Sequence, residues 1–536
     1  MKQSAAAGIL KGATIISLFM LLGRGLGFIQ KLIVAHYYGT GMEADAYTLA
    51  FSSIVFTFCA IPEKVLAPFL PLFAERRDRE GEAQAWSFAS SVGTILMFVM
   101  AGVVLAGIAA APYLVRVASS FKSPEAFQLA TLLVRAMLPM AFFMSLFYLT
   151  ALVLNAYKRF ARPALGETLN RVVIILTIIL LYRTMGISGL AVGVVLGAAA
   201  ALSLQILGLR QYRSHVRLHV DWQDPHLRQL AFLIPPVVAA IFIAVLRTVL
   251  DYRFASGMGQ GYASSLSYAK GLTDAMVLIV PNAVGVVIYP FFSDMSAERD
   301  KVKLMDTLIG AIRVLALVFV PISVILMVLR VPVVQLAFQR GRFEEASVAL
   351  TAGPVLYYAL GLTSFAAEII LMRLYFSMKD TLTPTLVGIA GVVVHVGVVL
   401  SLRSAMHHRA MALAATISKT AKVAALYFLL KPKLGDLRLR ANAIFVLKTL
   451  AAAGAMALVV YGTYAVSRMV LPVPASGGKL LRMAYLATQL GASSAAGIVV
   501  FALATLALKI DEARLIGAKL RNRFRHGRTD PSTARP

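Results

Sequence analysis

The chain has 536 residues, of which 59% are hydrophobic and only 14% charged, and its 52 Lys+Arg against 25 Asp+Glu give a net charge of +27. A soluble protein carries about 25% charged residues and, at this length, divides into domains joined by polar linkers. No such linkers are visible and long apolar runs recur from end to end, which excludes a soluble globular enzyme and specifies an all-α polytopic membrane protein.

In a soluble protein the basic excess would suggest nucleic acid. No zinc finger, heptad-linked basic helix or basic–aromatic repeat accompanies it, and short cytoplasmic loops of membrane proteins collect Lys and Arg, so no nucleic-acid partner is expected. The one cysteine, Cys59, excludes intrachain disulfides and Cys-rich metal sites, and reads as filler inside a helix.

Taken in chain order, the apolar run from Thr14 to His36 is too long for the core of a cleaved signal and reads as a retained first helix. With it, the first six spans are 12–36, 46–73, 88–113, 129–154, 166–184 and 188–212. Eight more follow at 230–252, 265–293, 306–330, 352–377, 385–404, 410–430, 443–468 and 485–508, for fourteen in all. About 20 residues cross the hydrocarbon, so the fifth is only just long enough and the eighth must tilt or run beyond it. An even count puts both termini on one side. Loops holding Arg76, Arg77 and Arg79, or Arg210, Arg213 and Arg217, alternate with poorer ones; Lys and Arg on the N-terminal side outnumber those opposite by more than two to one, so both termini are expected in the cytoplasm. The basic tail from Ile510 to Pro536 reads as an anchor against anionic lipid. Trp86 and Trp222 fall in predicted cytoplasmic loops near helix entries, where an indole suits the interface.

No gap is long enough for an inserted ATPase, and no glycine-rich loop ends in Gly-Lys-Ser or Gly-Lys-Thr. Transport would therefore draw on an ion gradient, the membrane potential or the substrate's own gradient, with no cofactor and no metal. A channel would need a filter-like loop. An intramembrane enzyme would need a nucleophile–base pair or metal ligands, and the eight histidines include no His-Glu-x-x-His, so the chain is expected not to be an enzyme.

Ionisable side chains inside spans are costly and usually face a protein interior or a watery space. Arg24 lies mid-span in the first helix, bracketed by Gly23, Gly25 and Gly27, with Lys31 on the same face. The second span begins near Asp45 and carries Glu63 and Lys64. The seventh holds Arg247 and Asp251 four apart, with Arg253 beyond, and the eighth holds Lys270 and Asp274 four apart. Such pairs can be plain salt bridges, but Arg24 and Lys31 have no acid on their own helix. Within these four spans cations outnumber acids, which suits an anionic substrate and phosphate oxygens in particular. Glu368, Arg373, Lys419, Lys422 and Lys448 form a second set that the sequence leaves open between a lipid-facing groove and helix packing.

The run Leu22-Gly23-Arg24-Gly25-Leu26-Gly27-Phe28, followed by Ala44-Asp45-Ala46-Tyr47, resembles the opening of the MurJ/MviN lipid II flippases of the multidrug/oligosaccharidyl-lipid/polysaccharide exporter superfamily. Leu70-Pro71-Leu72-Phe73-Ala74-Glu75, Leu154-Asn155-Ala156-Tyr157-Lys158-Arg159-Phe160, Gly189-Leu190-Ala191-Val192-Gly193, Phe338-Gln339-Arg340-Gly341-Arg342-Phe343 and Tyr375-Phe376-Ser377-Met378-Lys379-Asp380-Thr381 continue it in order. The resemblance implies fourteen transmembrane helices: two six-helix lobes around a central cavity, at 1–212 and 213–440, two C-terminal helices at 441–508 forming a lipid-tail groove, and a basic tail at 509–536. It implies a protein of the bacterial inner membrane that flips lipid-linked peptidoglycan precursor by alternating access, and since one chain would already hold both lobes, a monomer is expected. An exporter of another polyprenyl-diphosphate-linked saccharide is the alternative, and a multidrug exporter is disfavoured by the cationic surplus. Arg24 and Asp45 match the family's arginine and aspartate. Where the family has Arg-Asp this chain has Gln30-Lys31, and its Tyr-Ala-Asp-Arg-Leu appears as Tyr268-Ala269-Lys270-Gly271-Leu272, so the family's essential arginine falls at Gly271. Its helix 2 Arg-Arg has no clear counterpart around Phe56 to Phe58.

Overall fold

The computed structural model describes residues 22–515 except Arg24, residues 278, 279 and 299, and residues 473–477. The basic tail beyond 515 therefore lies outside the described residues. Every regular element among the described residues is helical. Ten helices are long and apolar enough to cross a membrane, or eleven if Glu345–Leu360 and Leu362–Ser377, bent by 47°, form one span. The bend falls at Gly361, where a Cβ would meet Thr416 Oγ1 at 2.5 Å; only a glycine lets the Thr416 hydroxyl come so near the backbone.

Residues 12–21 of the first expected span lie outside the described residues; the later expected spans fall on helices, usually lengthened by a turn or two. The fifth and sixth are Ala161–Met185 and Ile187–Gly208, and the last two are Leu439–Val470 and Lys479–Ala507. The second is a composite, Met42–Glu80, that includes a π-helical stretch at Ala50–Val55 and a turn before Pro68. The seventh is Pro225–Ser256, while the stretch expected as the eighth is described as Tyr262–Val277 and Val280–Ala297. Pro139 opens a helix at its first position, where the missing N–H costs nothing.

The chain forms two compact units. The first comprises the described part of residues 1–275 with Phe338–Leu350 and Leu400–His408; the second comprises the described parts of 276–337, 351–399 and 409–536.

In the first unit, Ala161–Met185 and Ile187–Gly208 form a tight hairpin. Gly189, Gly193 and Gly197 recur every four residues on one face, and Cβ atoms there would lie 2.9 Å from Leu181 Cβ, 2.8 Å from Thr177 Cβ and 2.4 Å from Asn170 Oδ1. Without a hydrophobic force to join helices in lipid, close backbone approach supplies the packing energy instead. The segment Phe338–Leu350 joins this unit through a crossing at Gly39 and Gly341, both at positive φ. Arg342 N donates to His36 O (2.9 Å), and a Cβ on Gly39 would stand 2.3 Å from Arg342 O. Phe338 and Phe343 bury their rings against Tyr268, with centroids 5.5 and 5.6 Å away. Toward the Arg76 end, buried Arg76 pairs with Asp224 and with Glu80 Oε2 (2.9 Å), and Asp224 caps the helix that begins at Pro225 by accepting from His226 N. Trp86 departs from an interfacial position: it is 3% exposed, stacks on Tyr212 and donates to Tyr157 Oη at 2.9 Å. Trp222 is exposed, and Cys59 is buried inside its helix.

In the second unit, Leu439–Val470 and Lys479–Ala507 pack through Ala452, Met456, Val460, Leu490 and Phe501. Arg313 fixes this pair to Lys301–Val328 and to the chain that follows, donating to Asn442 Oδ1 and to Glu512 Oε1 at 2.8 Å.

Candidate functional site

The charged residues singled out by the sequence separate into a cluster and several structural pairs. Arg24 lies outside the described residues. Lys31, on the helix at 25–38, reaches the Tyr262–Val277 helix and donates from Nζ to Ser267 O at 3.3 Å. Its aliphatic stem lies over Gly271: a Cβ there would be 2.5 Å from Lys31 Nζ and 2.6 Å from Cδ. Lys270 and Asp274 form their i,i+4 pair at 2.6 Å, with side chains 49% and 39% exposed. Lys31 is within electrostatic reach of both, and Lys270 is within reach of Arg247. Asp251 is buried, and beside it the Tyr252 hydroxyl faces Ser267 and Ser52.

The remaining candidates are engaged differently. Asp45 is 2% exposed, and both its oxygens serve the start of the Tyr262–Val277 helix: Oδ2 accepts from Gly261 N (2.5 Å), and Oδ1 from Ser264 N (2.7 Å) and Ser264 Oγ (2.6 Å). A carboxylate suits that position because the first N–H groups of a helix lack intrahelical acceptors and carry its positive end. Asp45 thus aims the very helix that carries Lys270, Gly271 and Asp274. Arg253 donates to Arg116 O (3.0 Å) and to Val117 O, the last carbonyls of Ala111–Ala118. Glu63 pairs with its neighbour Lys64 at 2.6 Å.

One cation of the cluster escaped the sequence reading. Arg171, in the Ala161–Met185 helix, donates from Nη1 to Gln30 Oε1 at 3.0 Å and lies within electrostatic reach of Lys31. Its signal was present, a charged residue well inside the span at 166–184, the same mark that singled out Arg24. Gln30 is 5% exposed, so a buried neutral amide accepts from the guanidinium. Lys31, Arg171, Lys270 and Arg247 thus come together with Asp274 and Asp251 within this unit, and Glu63 and Glu167 lie near Arg171 around Tyr148.

Ionisable groups brought together inside membrane-spanning helices are the mark of a transport protein rather than of a structural bundle alone. The chain belongs to the lipid II flippase MurJ family, whose sequence model matches residues 34–473. Relatives include the lipid II flippase MurJ of Burkholderia cenocepacia, 26% identical over 71% of this chain and 75% of that protein. Another is the probable lipid II flippase MurJ of Haemophilus influenzae, 26% identical over 82% of this chain and 90% of its own. A solved lipid II flippase MurJ in an inward closed conformation shares the fold, with a TM-score of 0.76 and 20% identity over 92% of this chain and 98% of that one. An inward-facing multidrug resistance transporter of the MATE family aligns at a TM-score of 0.66 and 15% identity, over 77% of this chain and 94% of that one. The chain is therefore a multi-pass protein of the bacterial inner membrane, a transporter and not an enzyme.

Proposed function

We propose that this chain carries lipid II, the undecaprenyl-diphosphate-linked peptidoglycan precursor, from the inner to the outer leaflet. The observation that carries this reading is the meeting of Lys31, Lys270 and Arg171 within one unit of a membrane-spanning bundle. A diphosphate cannot enter hydrocarbon unpaired, because burying an isolated charge costs far more than membrane passage allows. At about 4 Å and an effective dielectric of about 20, each cation–phosphate contact returns about 4 kcal/mol. Arg24 holds the diphosphate, with Lys31, Arg247 and Lys270 assisting; Asp251 and Asp274 balance these cations when substrate is absent. No bond is made or broken.

The finer architecture belongs to the same reading: fourteen spans, six-helix lobes at 1–212 and 213–440 that alternate in access, a lipid-tail groove at 441–508 and a cytoplasmic tail at 509–536. Residues 213–275 pack with the N-terminal helices, so the compact units divide differently from these lobes. A compact unit records contact, whereas a lobe is defined by what moves together. Membership of the flippase family and the basic bias of alternate loops support this arrangement.

The test is lipid II flipping in proteoliposomes. Arg24→Ala is expected to abolish flipping while the protein still purifies folded; normal flipping by that variant removes the central residue of the mechanism. The departures at Gln30, Lys31 and Gly271 give a second reading some ground, another polyprenyl-diphosphate-linked saccharide as cargo. Failure to rescue a cell depleted of its lipid II flippase would favour it.

A further inference from the structure

Gly271 is a gap that another helix fills. The Lys31 side chain runs across the backbone at that residue, with Nζ, Cδ and Cε at 2.5, 2.6 and 3.1 Å from where a Cβ would stand. Any residue but glycine at 271 would push the ammonium away from Ser267 O, to which it donates. Ser267 and Gly271 lie one turn apart on a single face, whereas the Lys270 ammonium is held round the helix by Asp274. An ammonium has three N–H donors, and Ser267 O occupies one of them.

We propose that Gly271 is a positioning residue: its missing side chain is the notch that sets the Lys31 ammonium beside Lys270, and Lys31 seated there contacts a phosphate oxygen of the cargo. The cation at this point of the Tyr262–Val277 helix is thus supplied by the helix at 25–38. The two ammonium groups act as point charges, without the planar fork of a guanidinium. This rests on the reading of the cargo as a diphosphate lipid and adds to it which two side chains must fit together for the head group to be held.

The test uses the full-length protein in detergent and in proteoliposomes, with undecaprenyl diphosphate as the binding probe and amine labelling of Lys31 read by mass spectrometry. Gly271→Ala displaces only the flexible end of a lysine, so its melting temperature should stay near that of the unsubstituted protein. It should nonetheless raise Lys31 labelling and weaken probe binding about tenfold, as Lys31→Ala does, and the double variant should bind no worse than Lys31→Ala alone. Gly271→Arg should be as impaired as Gly271→Ala where Lys31 is present and should regain binding in the Lys31→Ala background, where the notch is vacant. Losses that multiply in the double variant, unchanged labelling in Gly271→Ala, or failure of the probe to protect Lys31 would overturn the proposal. Protection of Lys31 by the probe without any flipping of lipid II would overturn the cargo named above and leave this pairing standing.

Discussion

Asp45 illustrates how a residue can matter to transport without touching cargo. Its carboxylate accepts from Gly261 N, Ser264 N and Ser264 Oγ and so fixes the start of the helix that presents Lys270 and Gly271. Asp45→Ala should lower stability by about 2 kcal/mol, the upper range for a lost helix cap, and Asp45→Asn by less, since an amide oxygen still accepts. Thermal unfolding in detergent measures both; equal losses would mean that packing at this site outweighs the cap. The sequence made Asp45 visible as a charge at the head of an apolar span. It could not show that the acceptor positions would be filled by a backbone 216 residues downstream. Arg171 carries the converse lesson. Its place inside a span was readable, but its link to Gln30 and its nearness to Lys31 depend on how the helices cross.

Among the elements, the Ala161–Met185 and Ile187–Gly208 hairpin is held by surface that is missing. At Gly197 a Cβ would lie 2.4 Å from Asn170 Oδ1 and 2.7 Å from Asn170 O, and a backbone carbonyl cannot swing aside. Gly197→Ala is therefore expected to cost about 2 kcal/mol or more through overpacking. Gly102→Ala, in the Glu82–Ala109 helix with nothing within 4 Å of the new Cβ, should be neutral or stabilise by up to about 1 kcal/mol. The contrast between two identical substitutions, read by unfolding in detergent, tests whether helix approach and not helix propensity governs this region. In the second unit, Glu368 accepts from Lys419 and from Lys422 Nζ (2.8 Å), so these three charges neutralise one another across two helices. Glu368→Gln leaves two partly buried ammonium groups facing one amide and should destabilise by about 3 kcal/mol. Lys419→Met with Glu368→Gln should recover part of that loss; no recovery would show that the two charges act independently.

For the whole molecule, orientation is the prediction that the loops make. Cys59 is the one cysteine and is buried, so single cysteines can be introduced without removing it. Arg79→Cys should react with a membrane-impermeant thiol reagent only from the cytoplasmic face and Lys122→Cys only from outside, Arg79 being exposed in the last turn of its helix and Lys122 exposed in a loop. Labelling of both from one side would break the alternation on which the span count rests. The division into compact units was not legible at this scale. Phe338–Leu350 belongs with helices near the N-terminus because two left-handed glycines, Gly39 and Gly341, let backbones cross at contact distance. A short glycine motif can be seen in a sequence; its partner, three hundred residues away, cannot.

Hydropathy and the spacing of apolar runs fixed the helical, membrane-spanning class, since only a backbone that satisfies its own hydrogen bonds survives in hydrocarbon. The rarity of charge inside those runs likewise marked Lys31, Lys270 and Asp274, because a charge there must have a reason. The i,i+4 pair Lys270–Asp274 was readable from spacing, but which charges on different helices meet was settled by tertiary packing alone. Lys31 reaches Ser267 and overlies Gly271 because two helices distant in sequence approach closely where one has no side chain, and complementarity of shape between distant segments leaves no local pattern to read.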